Sequence, residues 1–287
     1  MTSPTEKRRR LRELFAGPEI FPAVACGDVV TARLVQQVGL PAIHGSGSTA
    51  HRVRGMADAG LLDLTEMLNH LRYLCDGVDI PVIADADTGF GNVTNVHRTV
   101  REYERIGVAA IHIEDQLTPK RPMHSGFEGA FISRQEMVDK MRAAADARTD
   151  ESLIIIARCD VTDPQEKADR AAACLEAGAD VGWLAGKDVE AMLALKAAMK
   201  GKPAVGVLPG NMTLAQYQEA GANCALVVGS LQVAGLAAQL QLLEALKATG
   251  TPRTYLKDAP NAEEMGKFYN GQGTAEVRDL ETRFGGA

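Results

Sequence analysis

Short apolar runs rich in Val, Ile and Ala alternate with longer stretches of helical periodicity through most of the chain. The runs occupy residues 21–26, 41–44, 81–84, 109–113, 153–157, 179–184, 203–207 and 223–228. Between them lie amphipathic segments such as 93–106, 134–147, 164–177 and 189–199. The first kind of segment predicts strands and the second helices. Gly107, Gly178 and Gly201 stand where helices should stop. The triplets Ile106-Gly107-Val108, Ala177-Gly178-Ala179 and Ala220-Gly221-Ala222 each precede a strand, as the turn of a repeating βα unit does. Near-continuous apolar strands imply burial on both faces, hence a parallel sheet. Eight βα units close most simply into an α/β (β/α)8 TIM barrel. An open doubly wound sheet is the rival, but no GxGxxG follows the first strand. The expected organisation is a single domain over 1–287, with 252–287 as a helical C-terminal extension containing helices near 262–269 and 274–283.

Composition narrows the class. The chain has 287 residues, enough for one large barrel, and its 46% apolar and 24% charged content excludes disordered and collagen-like chains. A net charge of −6 argues against a nucleic-acid partner. Cys26, Cys75, Cys159, Cys174 and Cys224 are scattered without a CxxC pair, which points to a reducing cytoplasm rather than a disulfide scaffold. No apolar run reaches the ~18 residues of a membrane span, so no membrane partner is expected. The basic N-terminal segment lacks the apolar core of a signal peptide. Its basic run at 7–10 reads as the solvated face of a first helix.

Candidate chemistry collects where strands end, the face that carries catalysis in such barrels. Strand two runs into His44-Gly45-Ser46-Gly47-Ser48. Strand three runs into Asp85-Ala86-Asp87-Thr88-Gly89-Phe90-Gly91. Strand four carries His112, Glu114 and Asp115, and strand five ends in Arg158-Cys159-Asp160. Side chains two apart on a strand share a face. Asp85 with Asp87, His112 with Glu114, and Arg158 with Asp160 should therefore point into one space. So many acids together are costly unless a cation neutralises them. Oxygen donors favour Mg²⁺, or Mn²⁺, over zinc. Arg158 offers a fork for a substrate carboxylate. The glycine–serine stretch could clamp an anion through its backbone N–H groups. The polar segment 117–130 follows strand four and has the length of a lid.

These residues resemble the isocitrate lyase/phosphoenolpyruvate mutase superfamily. The carriers are Asp85-Ala86-Asp87-Thr88-Gly89-Phe90-Gly91, His112-Ile113-Glu114-Asp115-Gln116, the pair Lys120-Arg121 and Arg158-Cys159-Asp160. The nearest likeness is to 2-methylisocitrate lyases. The resemblance implies a barrel whose eighth helix is swapped between subunits of a homotetramer. It implies Mg²⁺ at Asp85, with Asp87 and Glu114 acting directly or through water. It also implies a small carboxylate substrate held by Arg158, His112 and the Gly45-Ser46-Gly47 backbone, with Asp58 a further acid near the metal.

The chain departs from the lyase pattern on one side of that site. Lyases of this group carry a loop KxCGH whose cysteine protonates the departing fragment. Here the loop reads Lys120-Arg121-Pro122-Met123-His124. After strand six the expected glutamate is absent from Leu184-Ala185-Gly186. After strand seven an aliphatic residue stands where the lyases have asparagine, with Asn211 four residues beyond Val207. The expected function is Mg²⁺-dependent carbon–carbon cleavage of a small 2-oxo or 2-hydroxy dicarboxylate through a metal-stabilised enolate. Arg158 would stabilise charge, Lys120 steer the substrate and His124 deliver a proton. Loss of CO₂ tolerates the missing cysteine better than loss of a carbanion, so a decarboxylase is preferred to a retro-aldol or retro-Claisen lyase. The alternatives are hydrolysis or rearrangement of phosphonopyruvate, and a catalytically degenerate metal-binding barrel.

Overall fold

The structure, a computed structural model, describes residues 2–123 and 126–285. Helix α1 (Pro4–Ala16) leads into eight strands: β1 (Phe21–Ala25), β2 (Ala42–Gly45), β3 (Val82–Asp85), β4 (Ala110–Glu114), β5 (Ile154–Arg158), β6 (Val181–Trp183), β7 (Ala204–Val207) and β8 (Cys224–Val227). They pair in parallel and in sequence order, and β8 closes on β1. The connections are α2 (Val29–Gln37), α3 (Gly47–Arg52), α4 (Leu64–Gly77), α5 (Val93–Arg105), α6 (Arg134–Ala147), α7 (Pro164–Glu176), α8 (Val189–Ala198) and α9 (Leu214–Glu219). This is the expected (β/α)8 barrel.

Local chemistry starts these helices. Asp28, Asp63, Asn92, Ser133, Asp163, Asp188 and Thr213 each cap one through a side-chain oxygen, satisfying backbone N–H groups the helix leaves unpaired. Strand alternation fills the barrel. Ala23, Ala42, Ile83, Ala110, Ile154, Ile156, Val181, Val205, Cys224 and Leu226 belong to one interior cluster. The intervening Val82, Ile111, Ile113 and Ile155 are also buried, which explains the unbroken apolar runs.

Leu11 and Phe15 of α1 join the cluster near the strand beginnings, with the Phe15 ring edge-on to Phe21 at 5.1 Å. The basic run beside them is not simply a solvated face. Lys7 is buried and donates to the carbonyls of Cys75 and Val78 at 2.9 and 2.5 Å. Arg8 is buried too. It donates to the carbonyls of Val108 and Glu104 and pairs with Asp150 at 2.8 Å. A charge buried this way is tolerable because each N–H finds an acceptor.

The chain divides into two compact units, Met1–Gly229 and Ser230–Ala287. The division falls at Gly229, so the long helix after β8 groups with the C-terminal residues. The second unit comprises α10 (Ser230–Thr249), α11 (Arg253–Leu256), α12 (Ala262–Asn270) and α13 (Thr274–Phe284). None of the residues of α10 is buried, and Val233, Leu236, Leu240 and Leu243 are all more than half exposed. Among the described residues no helix is long and apolar enough to cross a membrane, and all five cysteines are free and buried.

Candidate active site

Register brings the inward polar residues together. Asp85 of β3 lies beside His112 of β4, and Glu114 of β4 beside Arg158 of β5. At the floor of the mouth, His44 and His112 meet through their Nε2 atoms at 3.0 Å, so one donates and the other accepts. His112 Nδ1 lies 3.5 Å from Asp85 Oδ1. Asp85 also accepts the Gly47 N–H at 3.0 Å and the Asp87 N–H at 3.0 Å.

In the glycine–serine stretch one backbone N–H is already in use. Gly45 ends β2, and Ser46 caps α3 by accepting the Thr49 N–H. The Gly47 N–H is already engaged by Asp85. A Cβ on Gly47 would lie 2.9 Å from Asp85 Oδ2 and 3.1 Å from Asp87 Oδ1, so only glycine lets the two acids approach this backbone.

Above the floor, acids and cations alternate. Lys120 Nζ lies 2.5 Å from Asp87 Oδ1 and 2.8 Å from Asp58 Oδ1. Lys120 is thus buried between two of the expected acids. Arg158 meets Glu114 Oε2 at 3.0 Å through Nη1, and closes a two-point pair on Asp160 at 3.1 and 2.7 Å. The fork expected for a substrate carboxylate is therefore largely taken by Asp160. The guanidinium also stacks over Trp183 at 4.8 Å, and that ring is 5.3 Å from His112.

Asp87 sits at φ 46°, a left-handed conformation uncommon outside glycine. Its loop is held from several sides. Tyr103 donates to Asp85 O at 3.1 Å, Glu114 N–H to Asp87 O at 2.8 Å, and buried Lys140 to Thr88 O at 2.7 Å.

Burial sets the charge states. It pushes His44 down to about 3, helped by His112, and His112 down to about 4 against the pull of Asp85, so both imidazoles are neutral. Burial pushes Glu114 up to about 8 despite Arg158 and Lys120. It also raises Asp87, with Asp85 adding to the effect. Burial acts on Asp85 in the same direction, but His112, Lys120 and Arg158 outweigh it and hold that carboxyl below its usual range. Lys120 is held well above its ordinary value, because Glu114, Asp87, Asp85 and Asp58 overrule its desolvation.

The residues present suit a divalent cation. Five carboxylates, Asp58, Asp85, Asp87, Glu114 and Asp160, share two permanent cations, Lys120 and Arg158. Asp87 Oδ2 is buried and has no hydrogen-bond partner among the described residues. His44, Asp85 and His112 form the compact donor cluster among the described residues. The two histidines, however, use Nε2 on each other. The carboxylate oxygens are the hard donors that Mg²⁺ or Mn²⁺ takes.

The polar segment after β4 leaves the barrel at a narrow neck. Gln116 bridges to Phe131, and Leu117 N–H donates to Ala130 O at 2.7 Å. A cavity of about 230 Å³ lies beneath it, lined by Asp58, Gln116, Lys120, Arg121, Pro122, Met123, Arg158 and Asp160. A larger groove of about 650 Å³ surrounds Arg8, Glu104 and Asp150, at the strand beginnings and away from this chemistry. His124 lies outside the described residues. Sequence reasoning assigned no role to His44, Trp183 or Gln116. Strand alternation could have found two of them: His44 stands two before Ser46, and Trp183 two before Ala185.

A closed (β/α)8 barrel with acids, a neutral histidine pair and an arginine at its C-terminal mouth carries this chemistry on the face where enzymes of this fold place their active sites. Residues 11–247 match the phosphoenolpyruvate phosphomutase family, and the chain belongs to the isocitrate lyase/phosphoenolpyruvate mutase superfamily. It is 32% identical over 286 residues to 2,3-dimethylmalate lyase of Eubacterium barkeri, covering 96% of this chain and 97% of that one. It is 33% identical over 282 residues to oxaloacetate decarboxylase of Rhodopseudomonas palustris (strain BisB5), covering 96% and 92%. Among solved structures, a phosphonopyruvate hydrolase in complex with oxalate and Mg²⁺ superposes with a TM-score of 0.86 at 28% identity, covering 99% of each chain.

Proposed function

We propose that this chain cleaves a carbon–carbon bond in a small 2-oxo or 2-hydroxy dicarboxylate. Decarboxylation of an oxaloacetate-like acid is the leading reaction, and a retro-aldol or retro-Claisen lyase reaction is its neighbour. The division of the mouth carries this reading. On β2 to β5 the inward positions near the strand ends hold Ser46, Asp85, Asp87, Glu114 and Arg158. On β6 to β8 they hold Ala185, Val207 and Val228. One half can hold a charged oxo-acid head. The other offers no ionic clamp for a large charged leaving fragment.

Asp85, Asp87 and Glu114 would hold Mg²⁺, with Asp58 nearby. The ion would supply positive charge to oxygens of the oxo-acid. The chain's own groups do the rest. Arg158 stabilises the oxyanion that develops as the bond breaks. The backbone N–H groups of Gly47 and Asp87 hold Asp85 in place. In an oxaloacetate-like substrate the C3–C4 bond breaks, its electron pair passes into an enolate over C2 and C3, and CO₂ leaves without needing a proton. A proton then enters at C3, and His124 is the proposed donor. Pro122 has no proton to give, which favours CO₂ over a carbanion as the leaving piece. The similarity to an oxaloacetate decarboxylase supports this choice, and the similarity to 2,3-dimethylmalate lyase supports the neighbouring one.

Lys120 and Arg121 beside the cavity favour one second reading, attack on the carbon–phosphorus bond of phosphonopyruvate. The likeness to a phosphonopyruvate hydrolase supports it. A homotetramer with exchanged eighth helices is proposed for the assembly, supported by the exposed apolar residues of α10.

The test is a Mg²⁺-dependent panel of oxaloacetate, 2-methylisocitrate, isocitrate, dimethylmalate and phosphonopyruvate, with all products followed by NMR. Pyruvate and CO₂ from oxaloacetate are expected. Asp85→Ala should abolish turnover while circular dichroism keeps the parent's fold, with a lower melting temperature because the Gly47 and Asp87 N–H groups lose their acceptor. Phosphate release from phosphonopyruvate would assign the second reading. Binding of Mg²⁺ and oxalate without any turnover would make the chain a binding barrel.

A further inference from the structure

We infer that Gln116 is a positioning residue that couples seating of the lid to the orientation of Glu114. This rests on the proposed reaction only in taking Glu114 as part of its site. Gln116 is 4% exposed, and its single amide makes two contacts. Nε2 donates to Glu114 Oε1 at 3.1 Å, and Oε1 accepts the backbone N–H of Arg121 at 3.0 Å. The Arg121 N–H fixes the amide's orientation, because a backbone N–H can only donate to Oε1, and that turns Nε2 towards Glu114.

The position matters as much as the bonds. Gln116 stands at the neck of the lid, where the bridge to Phe131 joins the segment's two ends. Arg121 lies five residues on, next to Lys120 and Pro122 over the cavity. The other Glu114 oxygen faces Arg158 at 3.0 Å. Lifting Arg121 removes the partner of the amide oxygen and frees the amide to rotate. Glu114 Oε1 then loses its donor while still buried. Conversely, a Glu114 held in place by ligand keeps the amide turned towards Arg121. Such coupling is reciprocal by thermodynamic necessity. Two further contacts tie the same segment to the site: Thr118 Oγ1 to Thr88 Oγ1 at 2.6 Å, and Lys120 to Asp58 and Asp87. Each of these reaches a different acid or loop; the Gln116 amide is what joins the Arg121 backbone to Glu114.

Two variants separate the halves. Gln116→Glu keeps an oxygen for Arg121 N–H but replaces the donor to Glu114 with a second carboxylate. Gln116→Met keeps the length and drops both bonds. The readouts are hydrogen exchange of residues 117–123, with and without Mg²⁺ plus oxalate, and steady-state kinetics on whichever substrate the panel identifies. Trp183, the chain's only tryptophan, stacks on Arg158, and its fluorescence is the readout for ligand binding. The parent should show slower exchange of 117–123 when Mg²⁺ and oxalate bind. Gln116→Met should lose that ligand-induced protection, and its kcat should fall roughly 10- to 100-fold with KM little changed. Gln116→Glu should keep slow exchange at Arg121 yet bind Mg²⁺ roughly 10- to 100-fold more weakly. Normal ligand-induced protection in Gln116→Met, or normal Mg²⁺ affinity in Gln116→Glu, would overturn the coupling. A residue important only for folding would lower the melting temperature and leave the protection of the folded molecules intact, which also counts against it. If the parent cleaves nothing in the panel, the proposed reaction fails, and the exchange measurement still decides the role of Gln116.

Discussion

Gly47 shows how much a single missing side chain does here. Its N–H donates to Asp85, and the space its Cβ would fill is occupied by the carboxylates of Asp85 and Asp87. Gly47→Ala should push both acids aside. Mg²⁺ affinity should fall roughly 10- to 100-fold, read from Trp183 fluorescence during a Mg²⁺ titration. An unchanged affinity would mean that these two acids do not hold the ion. Pro122 gives the complementary case. Pro122→Cys restores the lyase-like thiol, but Ala185 and Val207 still offer no polar group. Efficient cleavage of 2-methylisocitrate should therefore not appear, as an NMR assay for its products would establish. Asp85, Asp87, Glu114 and Arg158 were legible because acids two apart at strand ends are unusual in sequence. Trp183 was not, because an aromatic residue in an apolar run reads as ordinary core.

At the scale of elements, the acidic loop after β3 depends on its neighbours. The segment after β3 holds Asp87, Gly89 and Phe90 at φ 46°, 83° and 58°. The backbone does not favour that run of left-handed residues unaided. Lys140 on α6 reaches across to Thr88 O at 2.7 Å and is itself buried. Lys140→Met should leave that carbonyl unpaired and lower stability by about 1–3 kcal/mol, measured by urea unfolding. Helix boundaries were legible because caps act locally, through Asp163 and Ser133 for example. The basic run on α1 was misread for the opposite reason. Its partners, the carbonyls of Cys75, Val78, Glu104 and Val108, lie far along the chain.

For the molecule as a whole, buried imidazoles set the response to acid. Burial lowers His44 to about 3 and His112 and His70 to about 4, from 6.5. Between pH 4 and 6.5 the unfolded chain therefore binds protons that the folded chain refuses. Their contribution is complete above pH 6.5 and is lost as pH falls through that window, by up to ~1.4 kcal/mol per pH unit for each imidazole. Glu114 works the other way. Burial raises it to about 8, so from its ordinary 4.5 upward its contribution declines as pH rises. His70 lies apart from the acid cluster and isolates one imidazole. His70→Leu should flatten the slope of unfolding free energy between pH 4 and 6.5 by about one proton's worth. An unchanged slope would show that His70 is charged in the fold.

The amino-acid sequence determined the order of strands and helices, the inward face of each strand and the set of acids at the mouth. Those properties follow from periods of two and 3.6 residues and from caps a few residues long, so each segment carries its own instructions. Only the closed barrel decided which charge meets which. His44 and His112 are 68 positions apart, yet their rings touch because β2 and β4 flank β3. Lys120 between Asp58 and Asp87, Arg158 on Asp160 and Trp183, and Gln116 between Glu114 and Arg121 are of the same kind. Such contacts depend on strand register and on the return of a loop over the mouth, and no local pattern encodes either.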